Sequence, residues 1–497
     1  MFSPSHSVSV AWALYLCLTA CAARMQSAPT QNLFGNKQYS DGVFMPVESL
    51  SNLSDYAFTT MSHPTFPRYS VRIKKSHFCD ETVNAYTGYI DIEARHLFFY
   101  FFESRNDPTA DDIILWTNGG PGCSSALGML MELGPCRALS PNGTTYHPES
   151  WNTNANVLFI DQPVGVGFSY ADHGEFVGNS IDAGTDVAAF LAIFFENFTQ
   201  FKGRALHLAG ESYAGRYIPV FASAVYDQNA KLEAAGLTPI NLQSAIIGNG
   251  MTDPFVQFLS YYDFVCTPAT VSPVVDIASC VAMKSIVKRC ERWMRESCED
   301  LYDFINCGAA ANFCRDAFTA PFEATGLNVY DITKPCEGEE DDICYPETRH
   351  IRNYLDRPDV RSLLGVDPSF TKNFMNCGEE VFMSFEKQQD LFHPSTDYVS
   401  ALLERGVRIL IYVGANDWIA NHVGNERWTL ALQWTGSKEF NSQPLRDWEV
   451  DGRPAGKTRS AKGFTFVTIQ GGGHMAPYDK PKESLHLIQR WIAGKEL

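Results

Sequence analysis

Apolar residues cluster along this chain in short runs bounded by turn-forming residues. His96–Phe102, Asp112–Trp116, Val157–Ile160, Ala205–Leu208, Ser244–Ile247, Val407–Val413 and Phe464–Ile469 are apolar and of strand length, and read as strands. Between them, Asp182–Phe195 brings Val187, Phe190, Leu191 and Phe194 to one helical face. Strands alternating with helical segments predict an α/β fold, with a largely parallel central sheet and helices on both faces. Residues 252–353 interrupt the alternation with clustered cysteines and an acidic run, Glu337-Gly-Glu-Glu-Asp-Asp342. They are expected to form a cap inserted between a first core part, 75–251, and a second, 354–497. Residues 24–70 are polar with little periodicity and are expected to be a pro-segment. Residues 1–23 carry a charge-free apolar run ending in Ala20-Cys-Ala-Ala23, the form of a signal peptide, with an uncleaved anchor as the alternative.

The run at Ala205 leads into Gly210-Glu-Ser-Tyr-Ala-Gly215, and the residues after it can continue as a helix. Gly-x-Ser-x-Gly between strand and helix is the form of a nucleophile elbow, which exposes Ser212 on a tight turn. A serine hydroxyl is a poor nucleophile without a base to take its proton and an acid to hold the base. Asp417 follows the strand ending at Val413, and His474 follows a glycine turn after the strand ending at Ile469. Nucleophile, acid, base is the chain order that accompanies this elbow. The Gly119-Gly120 turn after an early strand offers the Gly120 N–H to a tetrahedral oxyanion, and the Tyr213 N–H would be the second donor.

Trp116-Thr-Asn-Gly-Gly-Pro-Gly-Cys-Ser-Ser125, Trp151-Asn152, Asp161-Gln-Pro-Val-Gly-Val-Gly-Phe-Ser-Tyr170, Gly210-Glu-Ser-Tyr-Ala-Gly-Arg-Tyr-Ile-Pro219, Ile247-Gly-Asn-Gly250 and Gly472-Gly-His-Met475 occur in that order. Together they resemble the serine carboxypeptidases, nearest the carboxypeptidase Y type, over nearly all of residues 75–497. The resemblance implies an α/β-hydrolase fold with a disulfide-rich cap, and release of single C-terminal residues through an acyl-enzyme. It also implies that Asn118, the Gly119 amide, Glu132 and Glu211 hold the substrate's terminal carboxylate, with Trp116 supporting them. Carboxyls facing a carboxylate cannot all be ionised, so the pair must keep protons. Peptide capture should therefore favour low pH while the base must be neutral, which places the expected optimum at roughly pH 5–6.

Three positions depart from the family pattern: the acid loop usually reads Gly-Asp-x-Asp, and Gly414-Ala-Asn-Asp417 keeps Asp417 but lacks the extra aspartate. Ala420 stands where relatives carry a free cysteine near the substrate, and Leu391 stands where an S1 tryptophan is common. With Met475 they are expected to line the substrate pocket.

A net charge of −18 and an isoelectric point near 5.1 argue against nucleic acid and anionic membranes as partners, leaving peptide and protein C-termini. No cofactor or metal is expected, because the cysteines lack Cys-x-x-Cys spacing or adjacent histidines. Eight of fourteen cysteines fall between Cys266 and Cys344, a density that suggests disulfides and an oxidising compartment. The expected destination is the secretory pathway, with a vacuole-like compartment and the exterior both open. The resemblance implies Cys123–Cys377, Cys266–Cys280, Cys290–Cys314, Cys298–Cys307 and Cys336–Cys344. Nesting of the third and fourth would staple a helical hairpin through a helix read from Ala282 to Ile305; with Cys17 and Cys21 in the expected signal peptide, Cys79 and Cys136 are left over, free to pair with each other. Asn52, Asn142 and Asn197 begin glycosylation sequons. Two rival functions stand beside peptidase: a carboxypeptidase-like acyltransferase, and a non-catalytic partner that protects another enzyme.

Overall fold

The computed structural model describes residues 50–172, 174–339 and 342–497. The expected signal peptide and residues 24–49 of the expected pro-segment lie outside them. The main sheet is built from β1 (Thr59–His63), β2 (Phe66–Ser76), β3 (Ala85–Ile92), β4 (Arg95–Phe102), β5 (Ile113–Thr117), β6 (Asn156–Ile160), β7 (Ala205–Glu211), β8 (Asn241–Gly248), β9 (Arg408–Gly414), β10 (Arg446–Val450), β11 (Arg453–Ala461) and β12 (Phe464–Ile469). Their spatial order is β1-β2-β3-β4-β6-β5-β7-β8-β9-β12-β11-β10, and Tyr170–Ala171 pairs with β4. The run from β6 to β12 is parallel, and the strands on either flank pair antiparallel.

Parallel strands read as continuous apolar runs because both faces are covered. In β5, Ile113 and Leu115 face one core cluster while Ile114 and Trp116 face the other. In β9, Ile409, Ile411 and Val413 point to the first, and Leu410 and Tyr412 to the second. Helices α1 (Ser180–Asn197) and α2 (Ala214–Ala234) pack on the first face and on each other, with Val220 and Phe221 close against Gly184. Helix α1 is buried on nearly every side, which explains why its sequence is apolar well beyond one stripe.

The insertion carries α3 (Pro254–Cys266), α4 (Ile277–Met294), α5 (Phe304–Glu323) and a two-stranded ribbon, Leu327–Asn328 with Asp331–Pro335. Met283, Met294, Phe318 and Phe322 bury a separate small core there, closed by Trp418 of the main body. Cys290–Cys314 nests outside Cys298–Cys307 across the α4–α5 hairpin, and Cys266–Cys280 joins α3 to α4. Cys336–Cys344, Cys123–Cys377 and Cys79–Cys136 complete six disulfides. Among the described residues, no helix is long and apolar enough to cross a membrane.

Three expectations change. The boundary at residue 70 falls inside β2, so the core begins at Thr59 rather than residue 75. In this hairpin Met61, Tyr69, Val71 and Ile73 alternate inward, and a half-buried strand has no continuous apolar run to announce it. The helix read from Ala282 to Ile305 is two helices, because Asp303 caps α5 by accepting the Asn306 N–H. Asn197 is fully buried at the end of α1, its amide donating to the Ile193 carbonyl, so the folded protein has no room for a glycan there. Asn52 and Asn142 are exposed.

Candidate active site

Five adjacent parallel strands end at one edge, and each delivers a residue of interest. Asn118 follows β5, Ser212 follows β7, Asn249 follows β8, Asp417 follows β9 and His474 follows β12. Loops beyond the carboxyl ends of parallel strands are where open α/β sheets place their ligands.

Ser212 sits in the left-handed region at φ +67° although it is not glycine. That conformation costs an L-residue roughly 1–2 kcal/mol, and the surroundings hold it there. Its N–H donates to the Gly248 carbonyl, and its own carbonyl accepts from Gly215 and Met251. A Cβ on Gly215 would lie 2.4 Å from the Met251 nitrogen, and one on Gly210 would lie 2.6 Å from the Thr117 oxygen. Both glycines of the elbow are thus fixed by backbone approaching from neighbouring segments.

His474 and Asp417 are buried and joined by a 2.8 Å contact from Nδ1 to Oδ2. Donation from Nδ1 leaves Nε2 as the ring's acceptor. The same carboxylate accepts from Asn249 Nδ2 at 2.8 Å and from the Ile419 and Ala420 amides at 3.2 Å. Asn249 in turn accepts the Gly414 N–H, locking it to the end of β9. Tyr330 of the insertion accepts the His474 N–H at 2.7 Å and sets its ring 4.9 Å from the imidazole.

Gly119 packs directly on the elbow: a Cβ there would lie 2.4 Å from the Tyr213 nitrogen. Gly120, at φ +111°, and Tyr213 flank Ser212 in the cavity wall. Trp116 Nε1 and the Gly128 N–H both donate to Asn118 Oδ1, which turns Asn118 Nδ2 toward Glu132, 3.5 Å away. Glu132 and Glu211 are buried, and each keeps one carboxyl oxygen without a hydrogen-bond partner among the described residues. Burial pushes Glu132 up to about 7. Burial, and next the charge of Glu132, holds Glu211 well above the ordinary carboxyl range.

Ser212, His474 and Gly120 stand where two lobes of one cleft meet. One lobe, about 430 Å³, is lined by Leu391, Ala420, Met251, Tyr261 and Trp418. The other, about 680 Å³, is lined by Asn118, Gly119, Glu211, Met475 and Tyr330. Glu132 and Trp116 lie behind that wall rather than in it.

The serine carboxypeptidase sequence pattern matches residues 77–494. This chain belongs to the serine carboxypeptidase family. It is a hydrolase, 41% identical to carboxypeptidase Y of Candida albicans over 432 residues, covering 86% of this chain and 77% of that protein. It is 40% identical to a carboxypeptidase Y homolog A of Pyrenophora tritici-repentis, with the same shares covered. Among solved structures, it is similar to Kex1(delta)p, a prohormone-processing carboxypeptidase from Saccharomyces cerevisiae. That likeness has a TM-score of 0.73 and 25% identity, and covers 84% of this chain and 92% of that one.

The serine carboxypeptidase contains a second Ser-His-Asp set that is not a rival site. His207 Nδ1 lies 2.7 Å from Ser244 Oγ and Nε2 lies 3.2 Å from Asp112, beside the opposite ends of the strands. Ser244 is fully buried, and its oxygen is occupied by the Trp491 indole N–H. Sequence reasoning missed Asn249 and Tyr330. The Ile247-Gly-Asn-Gly250 motif held a signal for Asn249, whereas nothing local marks Tyr330.

Proposed function

We propose that Ser212 is the nucleophile, His474 the general base and acid, and Asp417 the group that orients His474. Neutral His474 takes the serine proton at Nε2 as Ser212 Oγ attacks the scissile carbonyl. The Gly120 and Tyr213 amides donate to the oxyanion, and His474 returns the proton to the leaving amino group. Water, activated by the same imidazole, then frees the acyl chain and restores the serine. The clamp reading assigns Asn118 Nδ2, the Gly119 amide and protonated Glu211 as donors to the substrate's terminal carboxylate, with Glu132 and Trp116 supporting them from behind. Leu391 and Ala420 would then meet the acyl side, and Met475 the leaving residue.

The observation that carries this reading is the pair of buried carboxyls, each with an unpartnered oxygen, beside a strained serine and a His–Asp pair. A site for generic esters has no use for two neutralised acids; a site that grips a carboxylate does. We also propose activity on the acidic side of neutrality. The six disulfides support passage through the secretory pathway, to a vacuole- or lysosome-like compartment or the exterior. A pro-segment, if removed, would end before β1 at Thr59.

The test compares a blocked dipeptide with its C-terminal amide across pH 4–8 on unlabelled enzyme, and maps fluorophosphonate labelling on a separate sample. Expected are labelling at Ser212 and a preference for the free acid of roughly tenfold or more at pH 5, shrinking as pH rises. Equal rates on both substrates at every pH would refute the clamp; absence of label at Ser212 would refute the nucleophile.

A further inference from the structure

Asp390 has no part in the chemistry above, yet it is buried and ties its own segment to the start of α1 and to the start of α2. Its Oδ1 accepts the Ser180 N–H at 3.0 Å, at the start of α1. Its Oδ2 accepts the Ser180 hydroxyl and, at 2.8 Å, the hydroxyl of Tyr213. Arg216, in the first turn of α2, brings Nη2 to 3.6 Å from Oδ1. The next residue along the chain, Leu391, lines the lobe opposite the clamp.

Tyr213 follows the nucleophile directly, and its amide is one of the two oxyanion donors proposed above. We infer that Asp390 is a positioning residue for that oxyanion site, acting through the Tyr213 side chain; the inference rests on the assignment of Ser212 and Tyr213. Ser212 is held in an unfavourable backbone conformation, so the peptide joining it to Tyr213 would relax unless its far side were anchored. Packing of the Tyr213 ring on Tyr217, 5.1 Å away, and Phe385, 6.0 Å away, fills space around the ring. The hydroxyl-to-carboxylate bond fixes its end, and such charge-assisted bonds are roughly twice as strong as neutral ones. The anchor is itself fixed, because Asp390 is bonded to the first turn of a helix packed along the sheet. A side chain needed only for packing would be apolar, since burying a carboxylate costs several kcal/mol before its partners offset it.

The test uses the full-length processed enzyme with Asp390→Asn, Tyr213→Phe and the double variant, each normalised to active sites titrated by a fluorophosphonate. Each single variant is expected to lower kcat about tenfold, less than the ~10²–10³ for loss of a whole oxyanion donor. KM should move by less than about twofold, and ester and peptide substrates should lose equally. The phosphonylation rate should fall in parallel, and the double variant should be no slower than the slower single. A kcat per labelled site within about twofold of the parent in both singles overturns the inference, as do multiplicative losses in the double or a change in KM alone. Should Asp390→Asn fail to fold, Tyr213→Phe, which removes only the hydroxyl, carries the same expectation and the same overturning result. A parent enzyme unlabelled at Ser212 would instead refute the catalytic assignment and remove the basis of the inference with it.

Discussion

Glu211 and Glu132 occupy one buried site in which burial, and next the charge of Glu132, raises the cost of ionising Glu211. Burial alone raises Glu132, and the hydrogen bond with Glu211 partly offsets it. Glu211 is held there because it ends β7, one residue before Ser212, so its position is as fixed as that of the proposed nucleophile. Glu132 ends the single wide π-helical turn Gly128–Glu132, and Arg137 donates to its backbone carbonyl at 2.9 Å. The folding that exposes the serine therefore also fixes a buried carboxyl beside it, so the proposed nucleophile and one acid of the proposed clamp come from the same strand end.

Peptide affinity should weaken as pH climbs. A carboxyl raised by burial holds its proton below its folded value and loses it above, and Glu132 stands at about 7. KM for a peptide with a free carboxylate should rise between pH 6 and 8, while KM for the matching C-terminal amide stays flat. Glu132→Gln, which stays neutral, should flatten the peptide curve. Initial-rate kinetics on both substrates checks this, and a peptide KM that falls with rising pH would sink it.

The same shift has a stability consequence of fixed sign. Above the unfolded value of 4.5 the folded state keeps a proton that the unfolded chain has lost. Stability contributed by the pair is therefore present at low pH and falls as pH rises through the folded value, by roughly a few kcal/mol in all. Denaturant unfolding at pH 5 and pH 8 should show a smaller difference in Glu132→Gln than in the parent enzyme.

Asn249 holds Asp417, the residue bonded to His474. Its amide donates to Asp417 and its oxygen accepts from Gly414. Asn249→Ala should cost about 1–3 kcal/mol of stability by leaving buried partners unsatisfied, and should lower kcat more than it raises KM. Thermal unfolding together with steady-state kinetics separates the two effects.

The parallel part of the fold was legible because its strands are continuous apolar runs, and β12 was read to its observed ends, Phe464 and Ile469. The triad candidates were legible because each follows such a run within a few residues. Strands β1 and β2 were not, because their buried residues alternate with exposed or half-buried ones, and their place in the sheet comes from β1 pairing with β2 and β2 with β3, a tertiary fact. Tyr330 and Asp390 share that invisibility, since each reaches the site from a segment distant in sequence. Asn197 shows the opposite failure: three residues suffice to write a sequon, but burial at the end of α1 decides whether it can be used.

Glycan occupancy should follow exposure. Glycopeptide mapping of enzyme produced in a glycosylating host should find carbohydrate at Asn52 and Asn142 and none at Asn197. Asn197→Gln should leave the mass of the glycosylated protein unchanged, and a downward shift by one glycan would contradict the burial.

Response to thiol reagents should separate this enzyme from relatives with a cysteine beside the substrate. Every cysteine among the described residues is in a disulfide, and position 420, on the cavity wall with its amide bonded to Asp417, is alanine. An organomercurial should therefore leave activity intact, since it needs a thiolate to attack. Ala420→Cys adds one sulfur to a site with little spare volume, at a cost of about 1–3 kcal/mol if the wall cannot yield. It should make hydrolysis sensitive to the reagent and reversible by excess thiol, because metal or adduct at 420 would crowd the imidazole and block the lobe that Leu391 lines. Residual activity of parent and variant after stoichiometric reagent decides the matter. Inactivation of the parent would mean that a disulfide had opened, and an insensitive variant would mean that position 420 does not face the substrate.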